Sequence, residues 1–238
     1  MRFKALLGSI LLTVSTAAHA DMTAVYAMTA PNAPPGAPFL TLQIAANGDV
    51  HGTMVVGNIE FIVHDGHGFT ILKGPSGPIV SRVEDVATVM SERIDKIVPG
   101  GFSKAAEAAR SITYTLNGTE TVNGRTGDAY YAHVPNGPAD GALWAVISHD
   151  PKLAPLGRAM ADEFAMSMKI MGTQLPSDAF QPMLDVLRKG APLQMTGIQL
   201  QSVSDAPVPA SAFVLPAPPQ TLDQVRARMA NGGLKTSG

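Results

Sequence analysis

The sequence predicts an α+β fold, with helices packed on one face of a curved antiparallel sheet. Three observations carry that expectation. Tight-turn dipeptides punctuate short alternating runs between Pro38 and Leu72. The apolar period then changes from two to three-and-four in blocks that begin at Val83 and Leu153. Strand-like runs resume after each helical block, and no stretch reads as two parallel strands joined by a helix.

The first element is not part of the fold. Arg2 and Lys4 precede an apolar run from Ala5 to Val14, and Ala18-His19-Ala20 offers the small residues that signal peptidase selects. Residues 1–20 therefore read as a signal peptide cleaved after Ala20. The run is too short to be a stop-transfer anchor, and the chain has no cysteine to acylate. A soluble periplasmic protein is expected.

After a first strand, "TAPNAPPGAP" forms a Pro-rich surface loop. "FLTLQIAA", "DVHGTMVV" and "IEFIVH" follow, each ending at Asn47-Gly48, Gly57-Asn58 or Asp65-Gly66, pairs that tolerate the positive φ of hairpin turns. Leu40, Leu42 and Ile44 alternate with Thr41 and Gln43, so an antiparallel meander is predicted. Val83, Val86, Met90, Ile94 and Ile97 then mark one face of a helix that Pro99-Gly100-Gly101 ends, and "FSKAAEAAR" makes a second, short helix. Strands return at "SITYTL", "DAYYAHV" and "ALWAVIS", joined by Asn117-Gly118, Asn123-Gly124 and "PNGPADG". Two further helices follow, one over the methionine-rich stretch 157–172 and one in "SDAFQPMLDVLRK". "PLQMTGIQLQSV" and "SAFVLPA" read as late strands. The expected division is a single α+β domain over residues 21–217, then a C-terminal helix and frayed tail over 218–238.

Composition narrows the function. The formal net charge is −2 and becomes more negative without Arg2 and Lys4, which argues against nucleic acid as a partner. No G-x-S-x-G elbow or phosphate-binding loop is present, and "GPSGP" lacks the strand-to-helix context of a nucleophile. The expectation is a protein that is not an enzyme and needs no cofactor. With 5% aromatic residues and 12 methionines, aliphatics and thioethers fill the interior.

Those methionines frame the main question. Leu153, Leu156, Met160, Phe164, Met168 and Met171 fall on one helical stripe, and Met166 and Ile170 widen it. Such a surface is either core filler or the floor of an adaptable apolar groove. In the groove reading, Leu156, Met160, Phe164, Met168 and Met171 line the cavity and Trp144 reports on it. Clustered thioethers also suit Cu(I), but Met166 points away from Met168 and Met171, and the stretch holds no histidine. A second constellation is histidine-based. If Gly57-Asn58 and Asp65-Gly66 are both two-residue turns, His51 faces His64 and His64 faces His67, a cross-strand row able to share zinc or copper. That register conflicts with the Asn47-Gly48 turn, which places His51 beside Ile44 on the core face.

"GAPLQM" and "ASAFVLPA", with "TVNGRTGDAYY" and "LWAVI" before them, resemble a bacterial family of secreted proteins of unknown function. That family is similar in outline to the periplasmic lipoprotein carriers LolA and LolB, and the resemblance spans roughly residues 110–217. It implies an incomplete, LolA-like β-barrel wrapped over helices, with an apolar cavity between them. The carriers rely on an arginine near the cavity mouth, and no position here matches it. The expected function is non-enzymatic binding of an apolar or amphiphilic molecule: a lipid, an acyl chain or a lipoprotein segment. The alternatives are metal binding through the histidine row, or an envelope interaction protein with no small ligand.

Overall fold

The computed structural model describes residues 21–29, 36–55, 57–97, 103–171 and 177–231, with backbone alone at 95–97, 103–105, 171 and 177. The expectations for the leader and for the final tail from residue 232 lie outside these residues.

The architecture is α+β. Among the described residues, eleven strands form a single curved, unclosed antiparallel sheet in the order β6-β5-β4-β3-β2-β1-β11-β10-β9-β8-β7. Its first half is a continuous meander: β1 (Met22–Met28), β2 (Pro38–Ile44), β3 (Val50–Met54), β4 (Ile59–His64), β5 (His67–Gly74) and β6 (Gly77–Arg82). Helices α1 (Val83–Ile97) and α2 (Ser103–Arg110) then carry the chain from one edge strand to the other. The second half runs through β7 (Thr113–Val122), β8 (Arg125–His133) and β9 (Ala142–Ser148). It detours through α3 (Ala154–Met171) and α4 (Gln181–Leu187), then returns as β10 (Ala191–Met195) and β11 (Ile198–Ser204). The β1–β11 pairing joins the halves.

Alternation decides which face is core. Met22, Ala24 and Tyr26 of β1 lie opposite Ile44, Leu42 and Leu40 of β2, and all six are buried. Tyr26 is wholly enclosed, and its hydroxyl donates to the Pro192 carbonyl at 2.7 Å, tying β1 across β11 to the start of β10. Burial pushes that phenol far above its ordinary pKa, so it stays a neutral donor. Helix α3 packs against β10, β2, β1 and α1. Its Gly157 permits this approach: a Cβ there would lie 2.3 Å from the Gly190 carbonyl oxygen.

Several turns differ from the expectation. Asp65-Gly66 and Asn123-Gly124 are two-residue hairpin turns with positive φ at both positions, 49° and 76° in the first. Asn47-Gly48 belongs to a longer loop, because Ala45 N–H bonds the Asp49 carbonyl and Ile44 pairs Val50. Gly57-Asn58 sits in a four-residue connection, since Met54 pairs Ile59. Asn117-Gly118 is no hairpin turn but an irregularity inside β7, where the register shifts between Leu116 and Thr119. "PLQMTGIQLQSV" is two strands, β10 and β11, around a turn at Thr196-Gly197.

"SAFVLPA" is not a strand. Residues Ala210–Phe213 make a 3₁₀ turn, and the segment after it lies over the outer face of the sheet. There Leu215 and Ala217 cover Ile62, Ile71 and Val80. Gln220 N–H then bonds the Val80 carbonyl at 2.8 Å, shielding part of edge strand β6. Helix α5 (Leu222–Ala230) begins with a Thr221/Gln224 capping box and packs Val225 and Met229 onto Val86 and Val89 of α1. The chain thus wraps the β6 edge from the outer to the inner side.

Candidate ligand cavity and histidine cluster

A cavity of about 240 Å³ lies between the inner face of β3–β5 and helices α1, α3 and α5. The sheet contributes Met54, Ile59, Phe61, Thr70 and Leu72, residues of one parity on three paired strands. Gly52 makes room for the Phe61 ring, because a Cβ there would fall 2.0 Å from Phe61 Cζ. From α3 come Glu163, Met166, Ser167 and Ile170, from α1 Val86, and from α5 Arg228 and Met229. The wall is therefore almost entirely hydrocarbon and thioether.

Two ionisable groups reach it. Glu163 is 7% exposed, and burial raises its pKa despite the Ser167 hydroxyl, which donates to Oε1 at 2.7 Å. Burial thus moves its ionisation to higher pH than that of an exposed carboxyl. Arg228 is half-buried. Its Nε donates to Gln220 Oε1 at 3.0 Å and its Nη2 to Ser81 Oγ at 3.1 Å, and burial lowers its pKa.

The stripe singled out in the sequence lies on another side of α3. Leu156 and Met160 are sealed in the main core at 0% and 1% exposure. Phe164 and Trp144 are partly buried against that core. Trp144 also meets Tyr114, with ring centroids 4.5 Å apart. Met168 is partly exposed, and the Met171 side chain lies outside the described residues. The cavity is lined instead by the adjoining face at 163, 166, 167 and 170. Met166 and Ile170, which widen the apolar surface of the sequence stripe, are the two of these that the spacing picks out. A carboxylate three residues before Met166 and seven before Ile170, on a face otherwise turned inward, was the available signal for Glu163.

The histidine row does not form as expected. His51 pairs with Ile62, not His64, because the β3–β4 connection is four residues long. His51 Nδ1 instead contacts Gln43 Oε1 at 3.1 Å and its Nε2 lies 3.7 Å from Glu60. The two-residue slide keeps all three histidines on the outer face but moves His51 along it. His64 and His67 do pair across the Asp65-Gly66 turn, and His67 is exposed. The partner sequence reading missed is Asp49, whose Oδ2 lies 2.8 Å from His64 Nδ1. Asp49 is buried, yet its pKa is lowered: burial alone would raise it, and hydrogen bonds with Asn47 and His64 outweigh that. His64 is raised by its hydrogen bond to Asp49 and by the charges of Asp49 and Asp65. Ligand atoms of Asp49, His64 and Asp65 lie within 4.8 Å of one another. Beside them an open groove of about 710 Å³ runs between the β2–β3 loop and Val208–Leu215. It is broader than the inner cavity but shallow and open to solvent.

The chain matches no family model, no curated protein and no solved structure. Among the described residues no helix is long and apolar enough to cross a membrane.

Proposed function

We propose that this is a non-enzymatic periplasmic protein, exported by a cleaved leader, that binds an apolar or amphiphilic molecule inside a LolA-like half-barrel. The observation that carries the reading is the cavity between sheet and helices, walled by Met54, Phe61, Leu72, Met166, Ile170 and Met229. Burial of a hydrocarbon chain there contributes about 0.8 kcal/mol per methylene. Met54, Met166 and Met229, unbranched and polarizable, adapt the wall to chains of different shape. An unclosed sheet over helices supports the same reading, since it is the arrangement that the resemblance over residues 110–217 implies. The test is a one-to-one titration with the apolar fluorophore N-phenyl-1-naphthylamine. Saturable binding that Met166→Trp weakens at least tenfold, with the melting temperature retained, supports it. Binding that Met166→Trp leaves unchanged places the fluorophore elsewhere and counts against it.

A second reading, a zinc or copper ion at the outer face, is favoured by the proximity of Asp49, His64 and Asp65. It predicts stoichiometric metal by elemental analysis, lost in His64→Ala.

A further inference from the structure

Resting on the apolar-ligand reading, we infer that the cavity takes a single-chain amphiphile ending in a carboxylate. Its chain lies among Met54, Phe61, Leu72, Met166 and Ile170, and its carboxylate meets the guanidinium of Arg228.

The inference starts from an unbalanced charge. Three other arginines have anions: Arg226 has Glu92 and Asp223, Arg110 has Asp178, and Arg188 has Asp185. Those pairs are substantially exposed, where an ion pair matters least. Arg228 is half-buried against an apolar wall, where a lone cation costs most, yet its acceptors are the neutral Gln220 and Ser81. Among the described residues no carboxylate forms an ion pair with it, and its hydrogen bonds to Gln220 and Ser81 run from Nε and Nη2. Glu163 does not fill that role. It is buried, its Oε1 is engaged by Ser167, and burial raises its pKa, which weakens its repulsion of an incoming anion. Arg93 adds a second cation to the same end of α5, its Nη1 donating to the Met229 carbonyl at 2.7 Å.

Size selects the rest of the ligand. At about 240 Å³ the cavity is smaller than the ~300–1,000 Å³ of usual ligand pockets. It suits one chain rather than the several of a lipid anchor. A carboxylate matches the planar donor fork of a guanidinium, and charged hydrogen bonds of that kind are the stronger class.

Calorimetric titration of the purified full chain with laurate, dodecanol and dodecyltrimethylammonium tests this, all below their aggregation limits. Laurate is expected to bind one-to-one and roughly tenfold or more tightly than dodecanol, with the cation weakest. Arg228→Gln should erase the preference for laurate over dodecanol, and Arg228→Lys should fall between. Equal affinities for laurate and dodecanol in the wild type overturn the headgroup assignment while the apolar-ligand reading stands. So does an Arg228→Gln protein that still prefers laurate. Failure of all three to bind overturns both. Should Arg228→Gln fail to fold, the wild-type comparison and Arg228→Lys still decide.

Discussion

Glu163 has the clearest consequence for pH. A carboxylic acid whose folded pKa is raised stabilises the fold at pH below the unfolded value, near 4.5. That contribution is lost as pH rises through the folded value, because the unfolded chain ionises first. Glu163→Gln keeps the carbonyl that Ser167 needs and removes the ionisation. Its melting temperature should therefore exceed the wild type's at pH 8, with the gap closing towards pH 4. A constant gap, or none, argues against a raised Glu163 pKa. His64 follows the same sign by a different route. Its contribution is present below its ordinary pKa of 6.5 and lost as pH rises through its raised folded value. Asp49, depressed, contributes above its ordinary 3.8 and loses that as pH falls. Their pair is thus strongest between those limits, and His64→Gln should flatten the melting temperature between pH 6 and 8. At Gly52, substitution by alanine drives a methyl into the Phe61 ring and should cost about 1–3 kcal/mol in a chemical melt. The chemistry of these residues was only partly legible in the sequence. His64 stood out as a candidate, but Asp49 is 15 residues away and meets it only through the register of β3 and β4.

At the scale of elements, legibility followed whether a signal was local. Val83, Val86, Met90 and Ile94 announced α1 by spacing alone, and Asp65-Gly66 announced its turn because both residues accept positive φ. Asn47-Gly48 announced a turn but not its length. One more loop residue sets Gln43, not Ile44, opposite His51, and so returns His51 to the outer face. "SAFVLPA" has the composition of a strand, but β11 already pairs with β1 and β10. What the segment supplies is a cover for Ile62, Ile71 and Val80, a need visible only once the sheet is assembled. Helix α5 likewise depends on a partner distant in sequence. Val225 is wholly buried against α1, and Val225→Ala should cost about 2 kcal/mol of stability by denaturant titration. Arg226→Ala removes the bidentate pair with Glu92 at 2.7 and 3.0 Å. Both side chains are substantially exposed, so the variant's denaturation midpoint should shift only slightly.

For the whole molecule, the two meanders make a trough rather than a closed barrel, and α1 and α2 connect its two edges. The helices fill most of that trough. Leu156 and Met160 complete the core, and the most apolar space left lies between α3, α1 and α5 and β3–β5. The α+β class and the meander were readable from turns and periodicity. The cavity was not, because its wall joins residues from Met54 to Met229 and depends on α5 docking from the opposite end of the chain. The central claim is that this space holds an apolar chain. Native mass spectrometry of the protein purified from cells, then repeated after adding laurate, tests it most directly. The account predicts a one-to-one adduct that denaturation releases as a single-chain amphiphile and that Met166→Trp abolishes. The bare polypeptide mass both before and after laurate is added would contradict it.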